Sequence, residues 1–356
     1  MRDDASGGRL ALVLVIVTWL PLAVVGLLTR TEGLIRDYGV HARLLVAIPL
    51  LIAAERSLHV RTARCIERFT SGQWVKGGTA AVARITAAAI RRRDMVVPEL
   101  VLLVLALIGS QLVARGGAES LGIVRGRHQE IWSPAVAWYA LVSLPVYQFL
   151  VARWLWRWAI WSRLLWDLSR LRLNPIAMHP DRQGGLGFLC EPSVAFGYVI
   201  CGVCAVQAGV WADQIMFMGA GLASFQGQFA IILVLAALLT FGPLCVFIPT
   251  MWRARFAAVR DYGRLATDYT RMFHARWIEH GERDSLLGTP DLQSLADLGN
   301  SFDVMRSMRV VPFGARSLTI IIGAVIIPMV PLLLLEIPLI DLLRKIFSVA
   351  AGGLPG

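Results

Sequence analysis

Seven apolar stretches, at about residues 10–28, 38–54, 96–114, 131–152, 194–211, 229–252 and 318–336, alternate with segments rich in arginine. A bilayer's hydrocarbon core of about 30 Å needs about 20 mainly apolar residues when crossed as helix. The runs Leu10 to Leu28, Val96 to Val113 and Phe229 to Met251 approach or exceed that length. Only 17% of the chain is charged and 56% is hydrophobic, whereas about a quarter of a soluble domain is charged. Lipid is therefore the main solvent, and the sequence predicts an all-α polytopic membrane protein with about seven transmembrane helices and amphipathic helical extensions on one side.

The basic residues write the sidedness. With the N-terminus inside, 27 of the 35 lysines and arginines fall on the inner side and 8 on the outer. The positive-inside bias makes the inner side cytoplasm. The net charge of +11 sits in loops that abut spans, so anionic lipid headgroups are the expected polyanion, at about 1 kcal/mol per arginine beside an acidic leaflet. Nucleic acid is not expected, because no recognition module is visible. Arg2 and Arg9 precede the first apolar run, which exits through Leu28, Thr29 and Arg30 without a small-x-small cleavage pattern, as a retained signal anchor does. In the second span His41 and Arg43 are expected to snorkel to the outer interface. Pro328 and Pro331 interrupt the seventh span and Pro338 follows, so it is expected to kink or to dip and return, with an amphipathic tail from Leu339 to Val349 along a membrane surface.

The organisation is a series of hairpins and basic arms. Residues 1–54, 96–152 and 194–252 form hairpins, 55–95 a basic arm, 153–193 an arm with tryptophans and a glycine-rich loop, and 253–317 a helical region; 318–356 hold the last span and tail. The second, fourth and sixth spans run without a turn signal into arms beginning near Arg56, Arg153 and Arg253, spaced by 97 and 100 residues. The spacing suggests a repeated hairpin, although residue identity between the arms is poor.

Within the second arm, Arg153, Trp154, Arg157, Trp158 and Trp161 combine indole and guanidinium as a headgroup-layer belt does. The loop that follows, from Asn174 to Phe188, carries His179, Asp181, Gly184, Gly185 and Gly187. Glycines permit left-handed backbone, and consecutive amides in such a turn cradle anions. A histidine and aspartate capping a turn is the plainer reading. Two ligands do not make a metal site, and no cofactor is expected. Thr289, Pro290 and Asp291 form a helix start. The helix beyond it has an apolar stripe of Leu292, Leu295, Leu298, Phe302 and Met305, with Gln293, Asp297, Asn300, Arg306 and Arg309 on other faces. Inside the membrane the polar residues are few: Gln207, Glu336 near the outer end, and Glu99, whose expected partner is Arg91, Arg92 or Arg93. The five cysteines suggest no disulfide framework, and Cys201 and Cys204, beside Gly202, Ala205 and Ala208, read as small-residue helix packing.

The His179 to Phe188 loop and the run Asp291, Leu292, Gln293, Ser294, Leu295, Ala296, Asp297, Leu298, Gly299, Asn300, Ser301, Phe302, with Arg306, Met308, Arg309, Pro312 and Phe313 after it, resemble a family of uncharacterised bacterial multi-pass membrane proteins. The likeness covers residues from about 150 to the C-terminus. It implies a bacterial inner membrane and marks these two segments as a signature, with no activity attached. From the residues alone, the leading expectation is an oligomeric channel or passive conduit, a homo-oligomer with a cytoplasmic helical vestibule. The alternatives are a membrane scaffold or signalling protein that docks a cytoplasmic partner, and a membrane-embedded enzyme. The last has least support, because nothing places a nucleophile beside a base.

Overall fold

The computed structural model describes residues 2–29, 34, 36–71, 74–75, 79–115, 134–279 and 290–336, without the side chains of 2–6, 114–115 and 336. Seven helical stretches among the described residues are long and apolar enough to cross a membrane, one for each apolar run in the sequence. The protein is an all-α polytopic membrane protein: no strand occurs among the described residues, only an isolated antiparallel bridge between Val75 and Leu173.

The helices are α1 (Arg2–Leu28), α2 (Tyr38–Ser71), α3 (Ala80–Arg93), α4 (Val96–Arg115), α5 (Pro134–Ser169), α6 (Cys190–Met218), α7 (Gln226–Phe241), α8 (Ile248–His274), α9 (Pro290–Arg306) and α10 (Ala315–Ile326). The arms are continuations of spans. Helices α2 and α5 run unbroken through the arginine-rich boundary, and α8 continues through a π turn at Ala275–Glu279. No glycine or proline follows Arg56, Arg153 or Arg253 within two turns, so nothing stops the helix where the solvent changes.

Helix α6 is the most enclosed span and packs against α2 and α10. It gets close through small residues. A side-chain carbon at Gly209 would lie 2.8 Å from the Gly39 backbone, and one at Gly202 would lie 3.3 Å from Ala47 Cα. By contrast α1 and α4 present Leu12, Val13, Leu100 and Leu105 outward, where acyl chains are the solvent. One hydrophobic cluster joins α2, α3, α5, α6, α7, α8 and α10, and a second joins α1, α2 and the start of α5. In the last span the two prolines produce a single 3-10 turn, Ile327–Met329, after which helix resumes at Val330–Glu336. The helix-starting Thr289, Pro338 and the amphipathic tail lie outside the described residues, as does the Glu336 side chain.

Two further irregularities face each other at the end of the bundle away from the arginine-rich side. Ala42–Ala47 of α2 and Tyr139–Ser143 of α5 are π-helical. Such single-turn π segments are rare and recur at functional sites.

Candidate functional site

The glycine-rich loop closes on its own aspartate. Asp181 Oδ1 accepts hydrogen bonds from the Gln183 and Gly185 amides at 2.7 and 3.0 Å, and Oδ2 accepts from the Gly187 amide at 3.2 Å. Residues 2, 4 and 6 beyond Asp181 thus converge on one carboxylate. Left-handed backbone at Arg182, Gly184 and Gly185, with φ of 54°, 67° and 79°, makes the convergence possible. Burial works to raise the Asp181 pKa, and the three amides with His179 outweigh it, holding the carboxyl below the usual range. His179 Nδ1 lies 2.9 Å from Asp181 Oδ1 and also receives the Asp181 amide at 3.3 Å. The anion that this turn cradles is therefore the chain's own carboxylate.

The loop also fastens distant helices. A side chain at Gly185 would overlap the Trp74 ring, which stands edge-on to His179 at 5.8 Å. The Asn174 amide donates to the Trp74 carbonyl at 2.8 Å. From the other side, the Arg309 amide donates to the Arg182 carbonyl at 2.7 Å, and a side chain at Gly184 would press on Met308. The glycine-rich loop and the residues after α9, more than a hundred residues apart, are thus brought into direct contact. Their meeting point lies at the end of α9, where Met305 and Met308 are fully buried.

At the other end of α9, Asp291 accepts from Arg276 Nη1 at 3.0 Å and Trp277 Nε1 at 3.3 Å, while its carbonyl accepts from the Tyr269 hydroxyl at 3.0 Å. These bonds fold α9 back along α8. Leu295, Leu298, Phe302 and Met305 follow the expected stripe, whereas Leu292 is half exposed. Gln293, Asp297, Asn300, Arg306 and Arg309 are exposed, and the Arg306 carbonyl accepts from Arg255 Nη2 at 2.8 Å.

The tryptophans and arginines expected at the lipid surface turn inward instead. Trp154 and Trp161 are 5% and 4% exposed, and their indoles donate to the Leu51 carbonyl at 2.9 Å and Ser193 Oγ at 3.1 Å. Trp158 donates to the Leu239 carbonyl at 2.7 Å. Arg157 reaches Glu55 Oε1 at 2.6 Å, and Arg153 bridges Glu55 at 3.4 Å and Glu99 at 3.1 Å. Glu99 therefore pairs with Arg153, not with its neighbours Arg91 to Arg93; Arg93 is held by Asp94 at 2.7 Å. This network borders an open cavity of about 1,170 Å3 between α1, α2, α3, α4 and α5. Gln207 lies half-buried within α6.

At the opposite end, a second polar cluster surrounds the π segments. Arg43 is hydrogen-bonded to the Tyr139 hydroxyl and lies 5.5 Å from the centre of the Tyr147 ring, while His41 Nδ1 accepts from Trp19 Nε1 at 3.0 Å. These side chains are held by neighbouring helices. Asp213 of α6 accepts the Tyr38 and Gly39 amides at 3.0 and 3.2 Å, and Asp37 caps the same helix start through the Val40 amide at 2.7 Å. Burial first, and then Asp213 beside it, push the Asp37 pKa up to about 6. Glu55, Asp37, Asp213 and Tyr139 are absent from the sequence-derived candidates. The available signal was the rarity of ionisable groups near apolar runs, which already pointed to Glu99.

Among the described residues no three His, Cys, Asp or Glu side chains converge as metal ligands, and the cysteines there are free. A multi-pass membrane protein with ionic clusters at both ends of one helical bundle is the class this arrangement defines. Compared with family models, curated proteins and solved structures, the chain matches none.

Proposed function

We propose that the chain is a bacterial inner-membrane protein with its N-terminus in the cytoplasm, forming a homo-oligomeric channel or passive conduit with α8 and α9 as a cytoplasmic vestibule. One observation carries this reading: the open cavity of about 1,170 Å3 at the arginine-rich end, walled by Glu55, Glu99, Arg93, Arg153 and Arg157. Solvated charge reaching between spans is what a conduit mouth requires, and ionisable residues kept at membrane depth commonly mark solute pathways. Toward the far end, Leu44, Ile48 and Leu51 of α2 are fully buried and seal the bundle, as a closed state would. Oligomerisation is supported by Leu265, Met272 and Leu292, which are exposed on the hairpin. Met272 lies on the order of 30 Å of helix beyond Met251, where lipid no longer covers it.

Single-channel currents from purified protein in a planar bilayer test the proposal. Steps that change conductance in Glu55→Gln support it, and silence across salts and voltages refutes it. The same exposed hairpin favours a second reading, a scaffold docking a cytoplasmic protein. An electrically silent, monomeric protein that co-purifies stoichiometrically with a soluble partner would establish that reading instead.

A further inference from the structure

The cavity on which the conduit reading rests has dimensions and chemistry of its own. Its wall along α2 runs from Pro49 to Ile66, about 25 Å of helix. Half a bilayer with its headgroups measures about 20–22 Å, so one phospholipid fits lengthwise. At about 1,170 Å3 it exceeds the roughly 300–1,000 Å3 typical of small-molecule pockets. Apolar residues such as Ala53 and Ile66 line it on either side of a charged belt. Arginines outnumber carboxylates in that belt, and Glu55, Asp94 and Glu99 are each held by an arginine. Gly7 and Gly8 of α1 form part of the wall, and a side chain at either would meet nothing within 4 Å. Leu10 and Ala11 continue that wall, and Leu12 of the same helix is exposed.

We propose that this cavity binds one anionic phospholipid taken from the leaflet on the arginine-rich side, with its phosphate at the belt of Arg93 and Arg153 and its acyl chains along the apolar wall. The open side of the cavity is the entry. A phosphodiester accepts charge-assisted hydrogen bonds from guanidinium groups, and the half-exposed Arg93 has donors left after its pairing with Asp94. The lipid would sit between spans as a plug at the cavity mouth.

Native mass spectrometry of the full-length protein, stripped of lipid in detergent and titrated with phosphatidylglycerol, phosphatidylcholine or inorganic phosphate, tests this. Phosphatidylglycerol should form a one-to-one adduct, weakened about tenfold in Arg93→Gln and lost in Ala53→Trp, which fills the cavity. Ala63→Trp fills the same space from another turn and replaces Ala53→Trp should that variant misfold. Equal binding of phosphatidylcholine, displacement of the lipid by inorganic phosphate, or indifference to the cavity-filling variants would overturn the proposal. Binding is read separately from conduction. A lipid bound to an electrically silent protein removes the conduit and leaves the lipid site standing, whereas a conducting protein without a lipid adduct does the reverse.

Discussion

Replacing Asp181 with asparagine removes one charge while keeping the side chain's shape, so the cost follows from the three amide bonds. Two amides, from Gln183 and Gly185, converge on one oxygen and keep a neutral acceptor if the asparagine carbonyl takes that position. The third, from Gly187, then faces an NH2 group and loses its bond. One lost hydrogen bond to a charged acceptor and two weakened ones amount to about 2–4 kcal/mol. The Asp181 side chain is 24% exposed, so solvent screens little of this. Asp181→Ala leaves all three donors without an acceptor and costs more, about 3–6 kcal/mol. In nanodiscs, melting followed by tryptophan fluorescence should fall by about 4–8 °C for asparagine and further for alanine. Protease should cut the 175–190 and 305–315 segments together, because the loop holds both. Because the folded-state pKa lies below the unfolded value, this stabilisation is complete above about pH 4 and lost as pH falls through the folded pKa. The asparagine variant should lack that acid-dependent component. Equal melting of parent, asparagine and alanine proteins at pH 7, with unchanged cleavage, would refute the reasoning.

Gly185→Ala places a methyl group on Trp74 at a φ of 79° and should cost more than about 1 kcal/mol; Gly185→Ala combined with Trp74→Ala should melt higher than the sum of the single losses predicts, which a double-mutant cycle measures. Asp37→Asn keeps a good helix cap and removes a carboxylate whose pKa is raised to about 6. A raised folded pKa gives stability that is complete below about pH 4 and lost as pH rises through about 6, so the variant should melt above the parent at pH 8 and lose that advantage at pH 4. Glu55→Gln leaves Arg153 and Arg157 without their shared carboxylate and should cost about 1–2 kcal/mol, discounted because the Glu55 side chain is 40% exposed. In Arg157→Met the same change should cost less, and equal costs in the two backgrounds would show that the pair contributes nothing.

The spans were legible because a bilayer imposes one length and one solvent, and every apolar run of the sequence became a helix. Partners were not legible, because they are set by packing between distant helices. Glu99 looked toward Arg91 to Arg93 since they are near in sequence, but α3 ends at Arg93, whose guanidinium the next residue holds. Helix α4 then packs on α5 and meets Arg153. Trp154, Trp158 and Trp161 read as a headgroup belt because arginines alternate with them along the chain. The deciding acceptors, Leu51, Leu239 and Ser193, come from other helices. The π segments have no sequence signature at all, so Arg43 looked like an end residue free to snorkel, although Tyr139 and Tyr147 hold it.

The loop is the informative exception, since its closure is local. Amides at the second, fourth and sixth residues after Asp181 could be read as an anion cradle, but the spacing alone did not say that the anion was already supplied. That closure bears on every functional reading. A turn filled by its own carboxylate offers little to a phosphate, a metal or a reacting carbonyl, and this weakens an enzyme centred on His179 and Asp181. What the loop does instead is join the far end of α5, through Asn174, to Trp74 beyond α2 and to Arg309 beyond α9. Helices α2 and α5 carry Glu55, Arg153 and Arg157 at the cavity. The loop thus ties the α8 and α9 hairpin to the two helices that bear the cavity's charge, and the glycines belong to that linkage.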